Sequence, residues 1–157
     1  MVFCFINDYL NRVIEKALLE KLETYCAYTE RCNWDVQQKC HKLNIPSADT
    51  AAYIKHLEDN GFLSEARYAT SFVNSKANRG WGPAKIRNGL MKKRVNTIHY
   101  QTLLSQMDKG DQLQQLIELA NKKRPKIKAK DEKDLKQKLI RFLMSKGYSF
   151  ELIRQVV

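Results

Sequence analysis

The segment VQQKCHKLNI at residues 36–45 has the same apolar spacing as IRNGLMKKRV at residues 86–95 and LIRFLMSKGY at residues 139–148. The shared apolar positions are Val36, Cys40 and Ile45, then Ile86, Leu90 and Val95, then Leu139, Leu143 and Tyr148. Residues four apart lie on one face of a helix, so each segment predicts a helix with one buried stripe. The sequence therefore predicts one helical unit that is used three times.

The regions on either side of these segments have helical spacing as well, and no strand-like alternation is sustained anywhere. The shorter helices that follow carry the stripes Tyr53, Ile54 and Leu57, then Leu103, Leu104 and Met107, then Leu152, Ile153 and Val156. Helix-start signals stand at Asn33, Ser47, Ser64, Asp111 and Ser149, which together indicate about nine helices. Chance similarity among amphipathic helices is the alternative to a true repeat.

We therefore expect an all-α fold of three tandem three-helix repeats in an elongated, curved array. Residues 1–12 form an N-terminal extension in this division. The repeats span residues 13–63, 64–109 and 110–157. The extension contains Asn7 and Asp8 and no preceding basic region, which argues against a secretory signal, and no apolar run is long enough to span a bilayer. A cytoplasmic protein with no membrane partner is expected.

Charge is distributed unevenly along the chain. Residues 1–65 contain 7 Lys/Arg and 10 Asp/Glu, whereas residues 66–157 contain 21 and 7, which gives net charges of −3 and +14. A large surface of one sign attracts polyanions, so nucleic acid is the first partner to consider and an acidic protein surface is the second. The alternative is a basic surface that only keeps the chain soluble.

Two runs of the chain, residues 76–94 and 122–130, contain basic residues and no acidic ones. The candidate binding residues are Lys76, Arg79, Lys85, Arg87, Lys92, Lys93 and Arg94 in the first run and Lys122, Lys123, Arg124 and Lys126 in the second. Pro125 interrupts a helix, so the second run is expected to be an exposed basic loop. A solvated basic face is the alternative, but two such runs in one chain favour binding.

The segment Arg79-Gly80-Trp81-Gly82-Pro83 joins two helices within the first run. Its glycines permit a sharp turn, its proline suits a first helical position, and the amides that follow are expected to donate hydrogen bonds to a phosphate. Lys85 and Arg87 on the following helix are the leading contact candidates. Ile86 and Leu90 are expected to face the core, which leaves these two basic side chains available to a partner. We interpret Trp81 as a packing residue, with stacking on a base as the alternative.

Neither metal binding nor catalysis is supported by the sequence. Cys4, Cys26, Cys32 and Cys40 lack the paired spacing of zinc sites, and we expect reduced, buried thiols without a metal. The three histidines have no Ser, Cys or Asp partner in a recognisable motif, and no glycine-rich phosphate loop or carboxylate cluster is present. A non-enzymatic protein without a cofactor is therefore expected.

Three stretches resemble the RecX family of recombinase regulators. These are LEDNGFLSEARYA at residues 57–69, Phe72-Val73, and RGWGPAKIR at residues 79–87. Weaker resemblance extends over residues 17–45 and 139–156. The chain departs from the family pattern at Ser64, where aspartate is usual, at Gly89, where glutamate or glutamine is common, and at Val95-Asn96, where glycine and isoleucine are common.

The resemblance implies a monomeric modulator of the RecA recombinase, usually an inhibitor, that lies in the groove of the RecA filament on single-stranded DNA. It implies action by binding, in DNA repair, without catalysis. Two alternatives remain open. One is an autonomous DNA-binding protein, acting on single-stranded or double-stranded DNA through residues 82–94. The other is a helical scaffold that binds only proteins.

Overall fold

The computed structural model describes residues 14–107 and 109–157, and within these ranges it contains nine α-helices and no strand. The helices are α1 (Lys16–Tyr28), α2 (Asn33–Lys42), α3 (Ser47–Asp59), α4 (Glu65–Asn78), α5 (Pro83–Lys92), α6 (Gln101–Ser105), α7 (Lys109–Lys123), α8 (Glu132–Ser145) and α9 (Phe150–Ile153). Short 3₁₀ turns occur at Thr97–His99 and Arg124–Lys126. The all-α prediction is confirmed, whereas the predicted extension at residues 1–12 lies outside the described residues.

The repeat predicted from apolar spacing is confirmed by the helix boundaries. The middle helix of each repeat is α2, α5 or α8. These helices end at Lys42, Lys92 and Ser145, and the next elements begin at Ser47, Thr97 and Phe150. Both sets of positions are separated by the same 50 and 53 residues as the apolar stripes. All nine stripe residues of the middle helices are buried, as expected for a core face. The curvature of the whole array stays a prediction.

One turn closes each middle helix, and its backbone is left-handed in all three repeats. The residues concerned are Asn44 with φ of 59°, Arg94 with φ of 57° and Gly147 with φ of 89°. In the first repeat, the next residue, Ile45, donates its N–H to the Cys40 carbonyl at 3.0 Å, which satisfies an acceptor at the helix end. A left-handed residue at the same place therefore connects the middle helix to the next element in all three repeats.

Two compact units make up the chain, and the boundary between them divides the middle repeat. Within the described residues, the first unit consists of residues 14–68 and Lys93–Val95, and the second of Ala69–Lys92 and residues 96–107 and 109–157. The core of the first unit is Leu22, Cys26, Val36, Cys40, Ile45, Tyr53, Ile54, Leu57 and Leu63. A core cluster in the second unit is Leu116, Ala120, Leu139, Leu143, Tyr148 and Ile153.

Helix starts agree with the sequence signals at some positions and differ at others. Ser64 and Ser149 accept backbone N–H bonds through Oγ, each at 3.3 Å from the nitrogen three residues ahead, so both predicted caps are confirmed. At α2 the cap is supplied from elsewhere, because the Asn33 N–H donates to Oε1 of Glu65 at 2.9 Å. The start predicted at Asp111 was wrong by two residues, since α7 begins at Lys109.

No helix in the described ranges is long and apolar enough to cross a membrane.

Candidate nucleic-acid interface

The corner between α4 and α5 is closed by backbone hydrogen bonds within the second unit. Gly82 donates its N–H to the Lys146 carbonyl at 2.7 Å, and Ala84 donates to the Gly147 carbonyl at 3.2 Å. Lys85 donates its own N–H to the Gly82 carbonyl at 3.1 Å, as the first turn of a helix does. The predicted phosphate site at these amides was therefore wrong, because the turn after α8 accepts the hydrogen bonds of Gly82 and Ala84 and the Gly82 carbonyl accepts that of Lys85.

Glycine is required on both sides of this contact. A Cβ atom added at Gly82 would lie 2.5 Å from the carbonyl carbon and oxygen of Gly147. One added at Gly147 would lie 2.4 Å from the backbone nitrogen of Lys85. Real Cβ atoms do not approach backbone atoms this closely, so two glycines permit the start of α5 to lie directly on the turn after α8.

Lys76 and Lys85 lie around the indole of Trp81 rather than extending into solvent. The Lys76 ammonium lies 4.9 Å from the ring centroid and the Lys85 ammonium 4.8 Å from it. Lys85 Nζ also donates to the Ser145 carbonyl at 3.0 Å. Trp81 is half-buried, which agrees with a packing role. Lys85, a leading contact candidate by sequence, is thus already bound to its own chain.

Lys93 and Arg94 are engaged in the same way within the first unit. Lys93 Nζ forms an ion pair with Oδ1 of Asp35 at 2.6 Å, and this hydrogen bond raises the Lys93 pKa above its usual value. The Arg94 guanidinium lies 4.0 Å from the centroid of the Trp34 ring. The Cys32 thiol donates to Oδ2 of the same Asp35 at 3.2 Å, and its sulfur lies 3.9 Å from the Lys93 carbonyl oxygen. These two cations hold the turn after α5 against the start of α2.

Six of the eleven candidate cations are exposed and, in the described ranges, form neither an ion pair within 4.0 Å nor a cation–π contact. They are Arg79, Arg87 and Lys92 from the first run and Lys122, Arg124 and Lys126 from the second. Lys123, the remaining member of the second run, has its ammonium 5.0 Å from the Phe142 ring. The predicted loop is in part helical, because Lys122 and Lys123 end α7 and a 3₁₀ turn follows.

Arg79 and Lys122 line a common groove in the second unit, although 43 residues separate them. The groove has a volume of about 480 Å³ and lies between the end of α4 and the face of α7. Asn78, Gln115 and Glu118 add polar groups to its walls. The two acid-free runs therefore meet at one surface. The sequence alone does not predict that the two runs are close in space, because neither run contains a pattern that indicates contact with the other.

The three described cysteines are free, as predicted, and all are buried. Burial raises the pKa of the Cys26 and Cys32 thiols to about 11 and raises that of Cys40. Such thiols are neutral at physiological pH and are poor nucleophiles and metal ligands. No group of three His, Cys, Asp or Glu side chains in residues 14–107 and 109–157 is arranged to hold a metal. Cys4 lies outside the described residues.

Two family profiles match this chain. The profile described as "RecX, second three-helix domain" matches residues 64–97, and "RecX, third three-helix domain" matches residues 110–157. The regulatory protein RecX of Vibrio parahaemolyticus is 34% identical over 121 residues, which cover 76% of each chain. The chain belongs to the RecX family. The predicted family resemblance is thereby confirmed.

Other RecX proteins show how far this similarity extends. The regulatory protein RecX of Clostridium botulinum strain Alaska E43 is 37% identical over 122 residues, which cover 74% of this chain but 57% of the relative. The chain thus spans little more than half of that relative. The crystal structure of RecX from Lactobacillus salivarius has a TM-score of 0.76 at 23% identity and covers 89% of this chain and 92% of that one. A second RecX crystal structure gives a TM-score of 0.82 at 23% identity, covering 89% of this chain and 71% of that one. The folds agree.

Proposed function

We propose that this chain binds the filament of RecA on single-stranded DNA and restrains recombinase activity in DNA repair. The observation that carries the proposal is the meeting of Arg79 and Lys122 in one groove of the second unit. Two exposed cations without ion-pair partners in the described residues supply the fixed positive charge that a phosphate backbone attracts. RecX family membership supports RecA as the protein component of that target.

The proposed action is binding, with no chemical step. Exposed cations that form no ion pair are available to a polyanion, whereas paired ones must first lose a partner. The carboxylate of Glu118 also lines the groove but forms no ion pair within 4.0 Å with Arg79 or Lys122. Arg87 and Lys92 on α5 and Arg124 and Lys126 after α7 extend the positive surface beyond the groove. Linked contacts of this kind gain affinity through effective concentration, so individually weak contacts suffice on a repetitive filament.

An autonomous DNA-binding protein is the second candidate function. The same groove supports it, because phosphate contacts by themselves carry affinity without sequence preference. Docking of α5 in a DNA groove is less well supported, because the N–H groups of Gly82 and Ala84 at the start of this helix are hydrogen-bonded to the turn after α8. Recognition helices contact bases with their N-terminal residues, and this helix end is covered. A scaffold that binds only proteins would leave the unpaired cations without a role.

The deciding experiment is DNA-dependent ATP hydrolysis by the cognate RecA, titrated with the whole chain. Binding to oligothymidine alone is measured in parallel at several salt concentrations. Suppression of hydrolysis at protein levels well below RecA supports filament regulation. Tight oligothymidine binding with unchanged hydrolysis would move the assignment to autonomous DNA binding. Absence of both effects would favour the protein-only scaffold.

A further inference from the structure

A groove of about 720 Å³ separates the second and third helices of the first repeat. Gln38 and His41 on α2 lie on one wall, and Ser47 and Ala51 on α3 lie on the other. These four positions define the outer surface between a middle helix and the element that follows it. Their side chains are small or polar, which leaves the space between the two helices open.

The third repeat carries different chemistry at the same four positions. Adding the combined offset of 103 residues places Arg141 and Met144 on α8 and Phe150 and Arg154 at α9. The equivalence is structural, because α2 and α8 end at corresponding residues and α3 and α9 begin at corresponding residues. All four side chains are exposed, with Met144 at 52% and Phe150 at 48%. Two large apolar groups and two arginines therefore share one surface.

Helix geometry supports this grouping independently of the repeat. Arg141 and Met144 are three residues apart on α8 and lie on the same face. Phe150 and Arg154 are four residues apart, and the Arg154 N–H donates to the Phe150 carbonyl at 2.9 Å, so they too share a face. We call these four residues the Met144–Phe150 surface.

We propose that the Met144–Phe150 surface is a docking site for an acidic protein segment that carries a large apolar side chain. Methionine, aromatic residues and arginine are the residue types enriched in protein interfaces, and apolar groups near the centre contribute most of the affinity. Neither arginine forms an ion pair within 4.0 Å in the described part of the chain, so both complement carboxylates. A phosphate backbone would complement the arginines but offers nothing to Met144.

The middle repeat provides the internal control. Its equivalent positions hold Asn88, Met91, Thr97 and Gln101, so it carries the exposed methionine, at 57%, without the phenylalanine or either arginine. The Met144–Phe150 surface shares no residue with the groove of Arg79 and Lys122. The inference therefore goes beyond the proposed function by assigning a separate protein contact to the third repeat.

The test uses the whole chain with its methionine methyl groups labelled for NMR. The probe is a short peptide of alternating glutamate and leucine with one central phenylalanine, and oligothymidine of matched charge is the comparison. We expect the peptide to shift the Met144 methyl signal saturably while Met91 stays in place. Phe150→Ser should weaken peptide binding about tenfold, and Arg141→Gln with Arg154→Gln should weaken it comparably and remove its salt dependence.

Three results would overturn the proposal. The first is no Met144 shift at millimolar peptide. The second is a Met144 shift with oligothymidine but not with peptide, which would assign the surface to nucleic acid. The third is an equal shift of Met91, which would indicate unspecific adhesion to exposed methionine. If Phe150→Ser lowers stability, the variant with Arg141→Gln and Arg154→Gln serves in its place, because it keeps the Met144 methyl reporter. None of these outcomes depends on whether the chain affects RecA, so the proposed function is tested separately.

Discussion

The turn at Lys93-Arg94-Val95 and the turn at Lys146-Gly147-Tyr148 occupy the same place in consecutive repeats, but different contacts hold them. The first turn lies against the start of α2 through side chains, with an ion pair to Asp35 and a guanidinium over Trp34. The second lies against the start of α5 through backbone hydrogen bonds to Gly82 and Ala84.

In both cases the turn after a middle helix lies against the start of the middle helix in the preceding repeat, and we call this contact a joint. The two joints are built in different ways and therefore have different sensitivities. A side-chain joint depends on charge and therefore on pH and salt, whereas a glycine joint depends on the absence of a Cβ atom. The two joints also explain why Lys85, Lys93 and Arg94, three basic residues in an acid-free run, contact their own chain. Basic character in a sequence does not distinguish a joint from a binding surface.

The largest expected effect is at the glycine joint. Gly147→Ala should destabilise the second unit by about 3 kcal/mol, because it combines an unfavourable left-handed φ with overpacking against Lys85. Urea unfolding followed by circular dichroism measures the change. Gly61→Ala is the matched control, since its φ is 74° but no atom lies within 4 Å of the added Cβ. Equal losses in both variants would show that the contact at Gly147 contributes nothing.

The side-chain joint should weaken at alkaline pH. The pKa of Cys32 rises from 9.0 to about 11 through burial, so the thiol's contribution to stability is fully present below pH 9 and is lost as pH rises through 11. The loss should be on the order of 2 kcal/mol for a thiol of this burial. Cys32→Ala should reduce the pH dependence of the urea midpoint between pH 9 and 11 without abolishing it, because burial also raises the pKa of Cys26 and Cys40. An unchanged slope in this variant would contradict the assignment.

The ion pair of this joint is expected to contribute about 1 kcal/mol, because Asp35 is largely buried while Lys93 is partly exposed. A double-mutant cycle with Asp35→Asn and Lys93→Met measures the interaction. The coupling should shrink in high salt. Additive losses from the two substitutions would mean that the pair does not hold the joint.

Arg94 should show the smallest effect, because two contributions oppose each other there. Glycine would relieve the left-handed backbone at φ of 57° but would remove the stack on Trp34. Arg94→Gly should therefore change stability by less than about 0.5 kcal/mol, whereas Arg94→Ala, which removes the stack without relieving the backbone, should cost about 1 kcal/mol. Thermal unfolding of both variants separates the contributions, and equal values would contradict this account.

Helical spacing was sufficient to predict the repeat, because burial at Val36, Ile86 and Leu139 imposes a period that the sequence must show. The phosphate site after Pro83 could not be judged in the same way. Whether a backbone N–H is free to bind phosphate depends on whether a distant part of the chain accepts its hydrogen bond. The acceptor for Gly82 is the carbonyl of Lys146, which is 64 residues away in the sequence. The groove of Arg79 and Lys122 was hidden for the same reason.

We propose that the groove of Arg79 and Lys122, rather than basic charge in general, binds the filament. The most direct measurement is RecA ATP hydrolysis on single-stranded DNA, comparing Arg79→Glu with Lys122→Glu against a control with Lys21→Glu and Lys42→Glu. The control removes the same charge from exposed residues of the first unit. We expect the groove variant to need at least about tenfold more protein for equal suppression, as two lost phosphate contacts imply, and the control to match the unmodified chain. Equal loss in both variants would show that net charge alone governs binding and would contradict the account.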